Sequence, residues 1–93
     1  MTIRLMVSIA ALPGKGGELA KLRAPRAAEV RLEPGCEQFE LFQSTENPDQ
    51  LVLLEKWTDE ASLAAHSKRN QERPQVGTEL RAGASVMERY VTE

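Results

Sequence analysis

The sequence has very few of the residues that build metal centres and disulfide frameworks. It contains one cysteine, Cys36, and one histidine, His66, among 93 residues. A single cysteine excludes an intramolecular disulfide framework, and a metal site needs several His, Cys or carboxylate ligands that converge. We therefore predict that the protein holds no metal ion, and the low cysteine content favours a reducing, cytoplasmic setting.

The sequence also lacks an excess of positive charge and any long apolar run. Its 12 basic residues are scattered among 14 acidic ones, so nothing marks a nucleic-acid surface. No stretch is long enough to span a membrane. The segment RLMVSIAAL, residues 4–12, imitates a signal peptide, but its apolar part is short and no small-residue cleavage site follows. We expect a soluble, unprocessed protein that binds neither nucleic acid nor membranes.

The chain length predicts one small domain, residues 1–93. Apolar alternation and helical spacing give the order β-α-β-β-α-β, a ferredoxin-like α+β fold with a four-stranded antiparallel sheet and two helices on one face. Pro25 lies inside the first helical pattern and predicts a kink or a break there. The predicted elements are a strand over 3–11, a helix from Glu18 that ends before the EPGC segment 33–36, a hairpin of strands 36–44 and 51–57, a helix from Asp59 to about Arg69 capped by Thr58 or Asp59, a loop with a helical turn over 70–84, and a strand over 85–92.

The predicted strands are apolar on both of their faces. In the third strand Leu51, Leu53 and Trp57 point one way, while Val52 and Leu54 point the other. Two helices cover only one face, and a face open to water normally alternates with polar residues. We predict a homodimer through the open sheet face, the alternative being that this face tolerates a few apolar residues. The same two-sided pattern occurs in the second strand, where Phe39 and Leu41 point to the face opposite that of Phe42. It occurs again in the last strand, where Val86 and Tyr90 point to the face opposite that of Met87 and Val91.

Two familiar site motifs are incomplete in this chain. The segment GKGG, residues 14–17, lacks the third glycine of a dinucleotide fingerprint and the Gly-Lys-Ser/Thr ending of a phosphate-binding loop. We predict that it forms a flexible turn. The chain also has no Gly-x-Ser-x-Gly segment that would present a serine nucleophile.

Trp57 and His66 are the most chemically distinctive pair in the sequence. Trp57 ends the third strand, and His66 shares a face of the second helix with Leu63. An indole and an imidazole together are able to line a site for a flat aromatic ligand and to move a proton at its edge. The same pair also fits an ordinary core, in which the indole fills the end of the sheet and the imidazole fills a packing gap. Spacing alone favours the core.

The segment from Glu33 to His66 resembles the antibiotic biosynthesis monooxygenase family. The resemblance rests on PGC before the second strand, on the hairpin FELFQS and LVLLEKW, and on the Leu-x-x-His helix after the tryptophan. The first strand with PGK and the closing segment VMERYV also fit, so the resemblance spans nearly the whole chain. It implies a dimeric α+β barrel, in which two copies pack sheet to sheet.

The resemblance implies a monooxygenase that oxidises a quinol-like or polyaromatic phenol with O₂ and uses no cofactor. In that case Trp57 would hold the substrate ring and His66 would take or relay the phenolic proton. The small aromatic substrate would also contact a set of apolar side chains. These predicted substrate-binding residues are Phe39, Phe42, Leu53, Leu63 and Tyr90, of which Phe39 and Phe42 face opposite ways.

Two departures from the family leave other functions open. Some relatives that oxidise polyketides carry an asparagine in the strand that leads to the tryptophan, where this chain has Leu53 and Leu54. Haem-degrading relatives carry an asparagine in the first strand, where this chain offers only Ser8. The alternatives are a non-catalytic dimeric module that binds a small molecule, and a protein that binds or degrades haem with His66 as the iron ligand.

Overall fold

A computed structural model describes residues 2–92 and confirms the ferredoxin-like α+β fold. The elements are β1 Thr2–Ala10, α1 Gly16–Val30, β2 Cys36–Gln43, β3 Gln50–Trp57, α2 Glu60–Glu72, a short 3₁₀ turn Thr78–Leu80, and β4 Val86–Thr92. The four strands form one antiparallel sheet in the order β2-β3-β1-β4. The crossover helices α1 and α2 join β1 to β2 and β3 to β4.

The register of the central strands places one face of the sheet under the helices. Ile3 lies opposite Trp57, and Ile9 lies opposite Leu51, across the β1–β3 ladder. These side chains point toward α1 and α2 because side chains alternate along a strand. Together with Leu19 and Val30 of α1 they are almost completely buried and form the centre of the core.

Helix α1 continues through Pro25, so of the two predicted outcomes the break is wrong and the kink stays a prediction. A proline in a helix leaves the carbonyl four residues earlier without its usual donor. That carbonyl belongs to Lys21, which is exposed, as is Pro25 itself. Water is able to hydrate the Lys21 carbonyl, so the helix tolerates the proline.

Helix α2 begins where the sequence predicts and ends later than predicted. The side chain of Asp59 accepts a hydrogen bond of 2.8 Å from the backbone N–H of Ser62, which makes Asp59 the N-cap. The helix then runs to Glu72, three residues beyond the predicted end at Arg69. This extension keeps Asn70 in helical geometry beside His66.

Gly16 and Gly17 of the GKGG segment begin α1, where the sequence predicted a flexible turn, and the turn that precedes them is tied to the β2–β3 hairpin. The backbone N–H groups of Gly14 and Gly16 each donate a 2.9 Å hydrogen bond to the Asp49 carboxylate. A Cβ atom on Gly16 would lie 1.8 Å from the carbonyl oxygen of Pro48, so the close approach requires glycine. The turn therefore holds the start of α1 against the hairpin.

The second face of the sheet carries apolar residues without a cover of helices. Met6, Val52 and Leu54 are half-buried along its centre, and Phe42, Val86 and Tyr90 are exposed around them. Strand β4 is exposed along its whole length, so Met87 and Val91 are uncovered even on the helix side. Among residues 2–92 no helix is long and apolar enough to cross a membrane.

Candidate active site

Trp57 and His66 are in direct contact beneath helix α2. Their rings stack with centroids 4.7 Å apart and planes inclined by 29°. Phe39 of β2 meets the same imidazole edge-on, with centroids 5.5 Å apart. Trp57 is 0% exposed and His66 is 6% exposed. The imidazole is thus clamped between two aromatic side chains.

Two carboxylates complete the environment of His66. The Nδ1 atom of His66 lies 3.1 Å from Oε1 of Glu33, and its Nε2 atom lies 4.0 Å from Oε1 of Glu55. The indole N–H of Trp57 donates a 3.0 Å hydrogen bond to the same oxygen of Glu55. Glu33, Glu55 and His66 are the buried polar or charged residues of the described chain. Two hydrogen-bonded pairs result, His66 with Glu33 and Trp57 with Glu55, and the stacking of the two rings joins them into one cluster.

The two carboxylates have opposite electrostatic environments. Burial alone would raise the pKa of Glu33, but hydrogen bonds with Arg73 and His66 outweigh it, so its pKa lies below the usual value. For Glu55 burial dominates and raises the pKa, although Trp57, His66 and Arg23 act in the other direction. Glu33 is therefore the firmly ionised carboxylate, and Glu55 is the one that holds a proton more readily.

The ionised Glu33 fixes the tautomer of the imidazole. An ionised carboxylate only accepts hydrogen bonds, so the Nδ1 atom of His66 must carry the proton that it shares with Glu33. In the neutral ring Nε2 then has a free lone pair. Glu33 is itself held by Arg69, whose Nη1 lies 3.1 Å from Oε1, and by Arg73, whose Nη2 lies 2.7 Å from Oε2.

Two cavities meet at His66 and Glu55, and Asn70 lines both. The first has a volume of about 190 Å³, and its apolar wall includes Phe39 and Leu53. The second has a volume of about 360 Å³ and is lined by Leu63 among others. Nε2 of His66 is the ring nitrogen on the side of Glu55, and both of these residues line both cavities.

The structure brings together five of the seven residues predicted for the site. Phe39, Leu53 and Leu63 lie around the Trp57–His66 pair, on the helix side of the sheet. Trp57 contacts the imidazole and lines neither cavity. The expectation that it holds a substrate ring therefore stays a prediction.

Phe42 and Tyr90 do not line these cavities within one chain. Phe42 pairs with Val52, and Tyr90 pairs with Arg4, on the open face of the sheet. They are 46% and 48% exposed. Strand alternation is the physical reason, because Phe39 and Phe42 are an odd number of residues apart.

Several polar residues of the site were not anticipated from the sequence. Glu55 carried a usable signal, because it alternates with Leu53 and Trp57 and so had to point into the core. Glu33 carried none, since it lies in a turn and 33 residues separate it from His66. The remaining unanticipated residues are Arg23, Arg26, Arg69, Arg73 and Arg81.

Comparison with known proteins extends these observations. A protein of Bacillus subtilis (strain 168) named "Putative monooxygenase YcnE" is 32% identical over 66 residues, which cover 71% of this chain and 70% of that protein. The crystal structure of PA3566 from Pseudomonas aeruginosa has a TM-score of 0.81 at 23% identity, covering 99% of this chain and 94% of that one. A Nitrosomonas europaea structure titled "Putative antibiotic biosynthesis monooxygenase" has a TM-score of 0.85 at 19% identity, covering 96% and 88%.

The structural matches establish the fold, and the sequence matches establish the family. Proteins of that family are generally dimeric, and the matches to it support a general function of the monooxygenase type for this chain. A sequence profile described as antibiotic biosynthesis monooxygenase matches residues 2–73, well over half of the chain. The chain therefore belongs to the antibiotic biosynthesis monooxygenase family.

Proposed function

We propose that the protein oxidises a quinol-like or polyaromatic phenol with O₂, without a metal or flavin, and that His66 is the base. One observation carries this proposal. His66 is bonded through Nδ1 to the ionised Glu33, its Nε2 atom lies on the side of Glu55, and His66 and Glu55 line both cavities. A base oriented by a buried carboxylate is a recurrent arrangement for general base catalysis.

The proton moves first in this reaction. Nε2 of His66 accepts the phenolic proton, and the negative charge of Glu33 stabilises the resulting imidazolium. Trp57 holds the imidazole ring of His66 in place by stacking against it. In this arrangement Trp57 is a positioning residue, while His66 touches the substrate.

The electrons then pass from the substrate to oxygen. The phenolate gives one electron to O₂, and the resulting radical pair combines to form a carbon–oxygen bond at a ring carbon that bears hydrogen. The imidazolium returns its proton to the peroxide, whose O–O bond breaks as the ring carbon loses its hydrogen as a proton. A phenol and O₂ thereby become a quinone and water. The apolar walls formed by Phe39 and Leu53 exclude water from the charged intermediates.

Oxygen uptake tests this proposal. Metal-stripped protein is mixed with a panel of quinols and hydroxylated polyaromatic phenols, and the rate is compared with that of the same solutions without protein. We expect uptake above the uncatalysed rate, with its loss in His66→Ala by about 100-fold or more, the usual contribution of a general base. Trp57→Ala should also lose activity, but it should lose about 3–5 kcal/mol of stability as well, because it empties a core position.

Lys68→Ala is the matched control, because Lys68 is exposed on the same helix and lines neither cavity. Circular dichroism establishes that each variant is folded. Uptake that is unchanged in folded His66→Ala would contradict the role of His66. The absence of uptake across the whole panel would favour the binding module, in which the buried Trp57–His66 pair serves stability alone.

Haem ligation receives less support from the site. An axial ligand needs an imidazole nitrogen open to the iron, and here His66 is 6% exposed, stacked on Trp57 and bonded to Glu33. Titration with haemin tests this alternative. We expect no shifted absorption band that depends on His66.

We also propose that the active unit is a homodimer formed through the open sheet face. The support is the apolar character of that face, where Phe42 and Tyr90 lie exposed around half-buried Val52 and Leu54. Dimerisation would bury the surface to which Phe42 and Tyr90 belong. It would also cover Val86 of strand β4, which is exposed on the same face.

A further inference from the structure

The smaller cavity has an unbalanced positive wall. Arg23 and Arg26 of α1 and Arg81 after the 3₁₀ turn all line it, and Glu55 is the one carboxylate among its lining residues. Three guanidinium groups thus face one carboxylate, and that carboxylate is the one whose burial raises its pKa. Charge of one sign around an enclosed space is costly unless a counter-charge is present.

Arg26 is accounted for by neighbours outside the cavity. Its Nη2 atom donates a 3.1 Å hydrogen bond to the carbonyl oxygen of Pro74, and its Nε atom lies 3.8 Å from Glu29. Arg23 and Arg81 are different, because neither forms an ion pair with any carboxylate of residues 2–92. The other buried carboxylate, Glu33, is occupied by Arg69, Arg73 and His66.

Arg81 supplies a more specific sign of a missing partner. Its Nη2 atom donates a 2.8 Å hydrogen bond to Ser85, but its Nε atom is buried and has no hydrogen-bond partner within the described chain. Buried polar groups in native proteins are nearly always bonded, so such a donor calls for an acceptor. Burial and the neighbouring Arg81 and Arg26 also lower the pKa of Arg23, and the opposite effect of Glu55 does not balance them.

We propose that this cavity binds an aromatic substrate that carries a carboxylate, with Arg23 and Arg81 holding the carboxylate and the phenolic end directed toward His66. A guanidinium fork matches the two oxygens of a carboxylate, and the bond is charge-assisted. Val7, Ile9, Phe39 and Leu53 supply the apolar wall for the ring. The inference rests on the proposed function and names the substrate class of the same site.

The volume sets the size of this ligand. About 190 Å³ is below the range of roughly 300–1,000 Å³ that is usual for drug-sized ligands, so a ligand with one or two rings is favoured over a large polycycle. A compact hydroxylated aromatic acid satisfies both the volume and the charge. An inorganic anion would satisfy the charge and leave the apolar wall without a partner.

Binding measurements that involve no turnover test the proposal. The probes are 4-hydroxybenzoate and 6-hydroxy-2-naphthoate, each compared with its neutral carboxamide, and inorganic phosphate serves as an anion without a ring. Isothermal titration calorimetry gives the affinities, and the arginine Nε–Hε signals in ¹⁵N NMR spectra report which guanidinium responds. We expect at least one acid to bind about tenfold or more tightly than its amide. The Arg81 signal should shift with the acid.

The variants Arg23→Gln and Arg81→Gln should each abolish the preference for the acid over the amide. Lys21→Gln is the matched control, because it removes one positive charge from the exposed side of the same helix and should leave the preference intact. Arg23→Lys adds a test of geometry, since it keeps the charge and loses the fork. Thermal melting establishes folding, and Arg23→Gln should melt no lower than the wild type because it relieves repulsion between cations.

The proposal would be overturned by equal affinity for acid and amide, or by binding of neither. It would also be overturned if phosphate bound more tightly than both acids, or if the preference for the acid survived in both glutamine variants. These results are independent of oxygen uptake. Selective binding of the acid without uptake would refute the oxidation and keep the ligand class. Oxygen uptake with neutral phenols alone would keep the proposed oxidation and refute the proposed ligand class.

Discussion

At the scale of single residues, the site is governed by two glutamates with opposite tasks. Glu33 is surrounded by the cations Arg69 and Arg73 and accepts from His66, so it stays ionised and orients the imidazole. Glu55 forms no ion pair with an arginine among residues 2–92, its burial raises its pKa, and it accepts from the indole of Trp57. The different neighbours separate the pKa values of the two carboxyls, which is a common way to divide roles between acidic groups in an active site.

This difference predicts opposite effects of two substitutions on stability. The folded-state pKa of Glu33 is lowered, so its stabilising contribution is present above its unfolded pKa of about 4.3 and is lost as the pH falls through the folded value. Glu33→Gln should therefore cost about 2 kcal/mol near neutral pH, since it removes charge-assisted hydrogen bonds. The cost should shrink in acid below about pH 4.

The contribution of Glu55 to stability depends on pH with the opposite sign. Its folded-state pKa is raised, so its favourable contribution is complete below the unfolded pKa and is lost as the pH rises through the folded value. Glu55→Gln should be more stable than the wild type near neutral pH, and the difference should vanish in acid. Urea unfolding of the wild type and both variants, at a fixed protein concentration and two pH values, measures this. If both substitutions changed the free energy of unfolding with the same sign near neutral pH, the opposite roles of Glu33 and Glu55 would be contradicted.

At the scale of elements, the turn between α1 and β2 places Glu33 beneath α2. Gly35 has a φ of 82°, and its carbonyl oxygen accepts a 2.9 Å hydrogen bond from the backbone N–H of Thr58 at the end of β3. A Cβ atom on Gly35 would lie 2.1 Å from Oγ of Ser62. The turn thus fits closely against the start of α2, and this contact fixes the distance between Glu33 and His66.

A series of glycine-to-alanine substitutions tests that contact. Gly35→Ala should destabilise the protein by more than about 1 kcal/mol, because the φ is unfavourable and the Cβ meets Ser62. Gly14→Ala shares a positive φ of 78° but meets nothing within 4 Å, so it should cost less. Gly17→Ala has neither problem and should be neutral or stabilising by up to about 1 kcal/mol, because alanine favours a helix. Thermal unfolding ranks the three variants, and Gly35→Ala at or above Gly14→Ala in stability would contradict the account.

The elements were easier to predict from the sequence than the network between them. Alternation in β3 placed Trp57 and Leu53 on one face because a strand has a fixed period of two. The Asp59 cap was predictable for a similar local reason. The pairing of Glu33 with His66 depends on how a turn packs against a helix 33 residues later, and no local pattern encodes that distance. Arg81 lies just after the 3₁₀ turn, in a stretch for which spacing predicted a loop with a helical turn but no role for the side chain.

At the scale of the whole molecule, the open sheet face is an apolar surface that no helix of residues 2–92 covers. Its half-buried centre, formed by Met6, Val52 and Leu54, is bordered by exposed Phe42 and Tyr90. Large apolar patches on a soluble protein normally mark an interface. An isologous dimer would place the same patch of each copy against the other.

A charged substitution in that face tests the dimer. Leu54→Asp should shift the protein from dimer to monomer, because it buries a carboxylate without a partner at the centre of the interface. Ala65→Asp is the matched control, since it places the same side chain on the exposed surface of α2. Analytical ultracentrifugation gives the mass of each variant. A wild-type monomer, or a Leu54→Asp dimer as stable as the wild type, would contradict the proposed interface.

The central claim is that Glu33 leaves the Nε2 atom of His66 free to accept a proton at the cavities. Because His66 is the only histidine in the chain, ¹⁵N NMR of the untagged, labelled protein reports its tautomer without ambiguity. We expect the neutral ring to carry its proton on Nδ1 and to lose that preference in Glu33→Gln. A proton on Nε2 in the neutral wild-type ring, or a ring that stays doubly protonated throughout the pH range in which the protein is folded, would contradict the account.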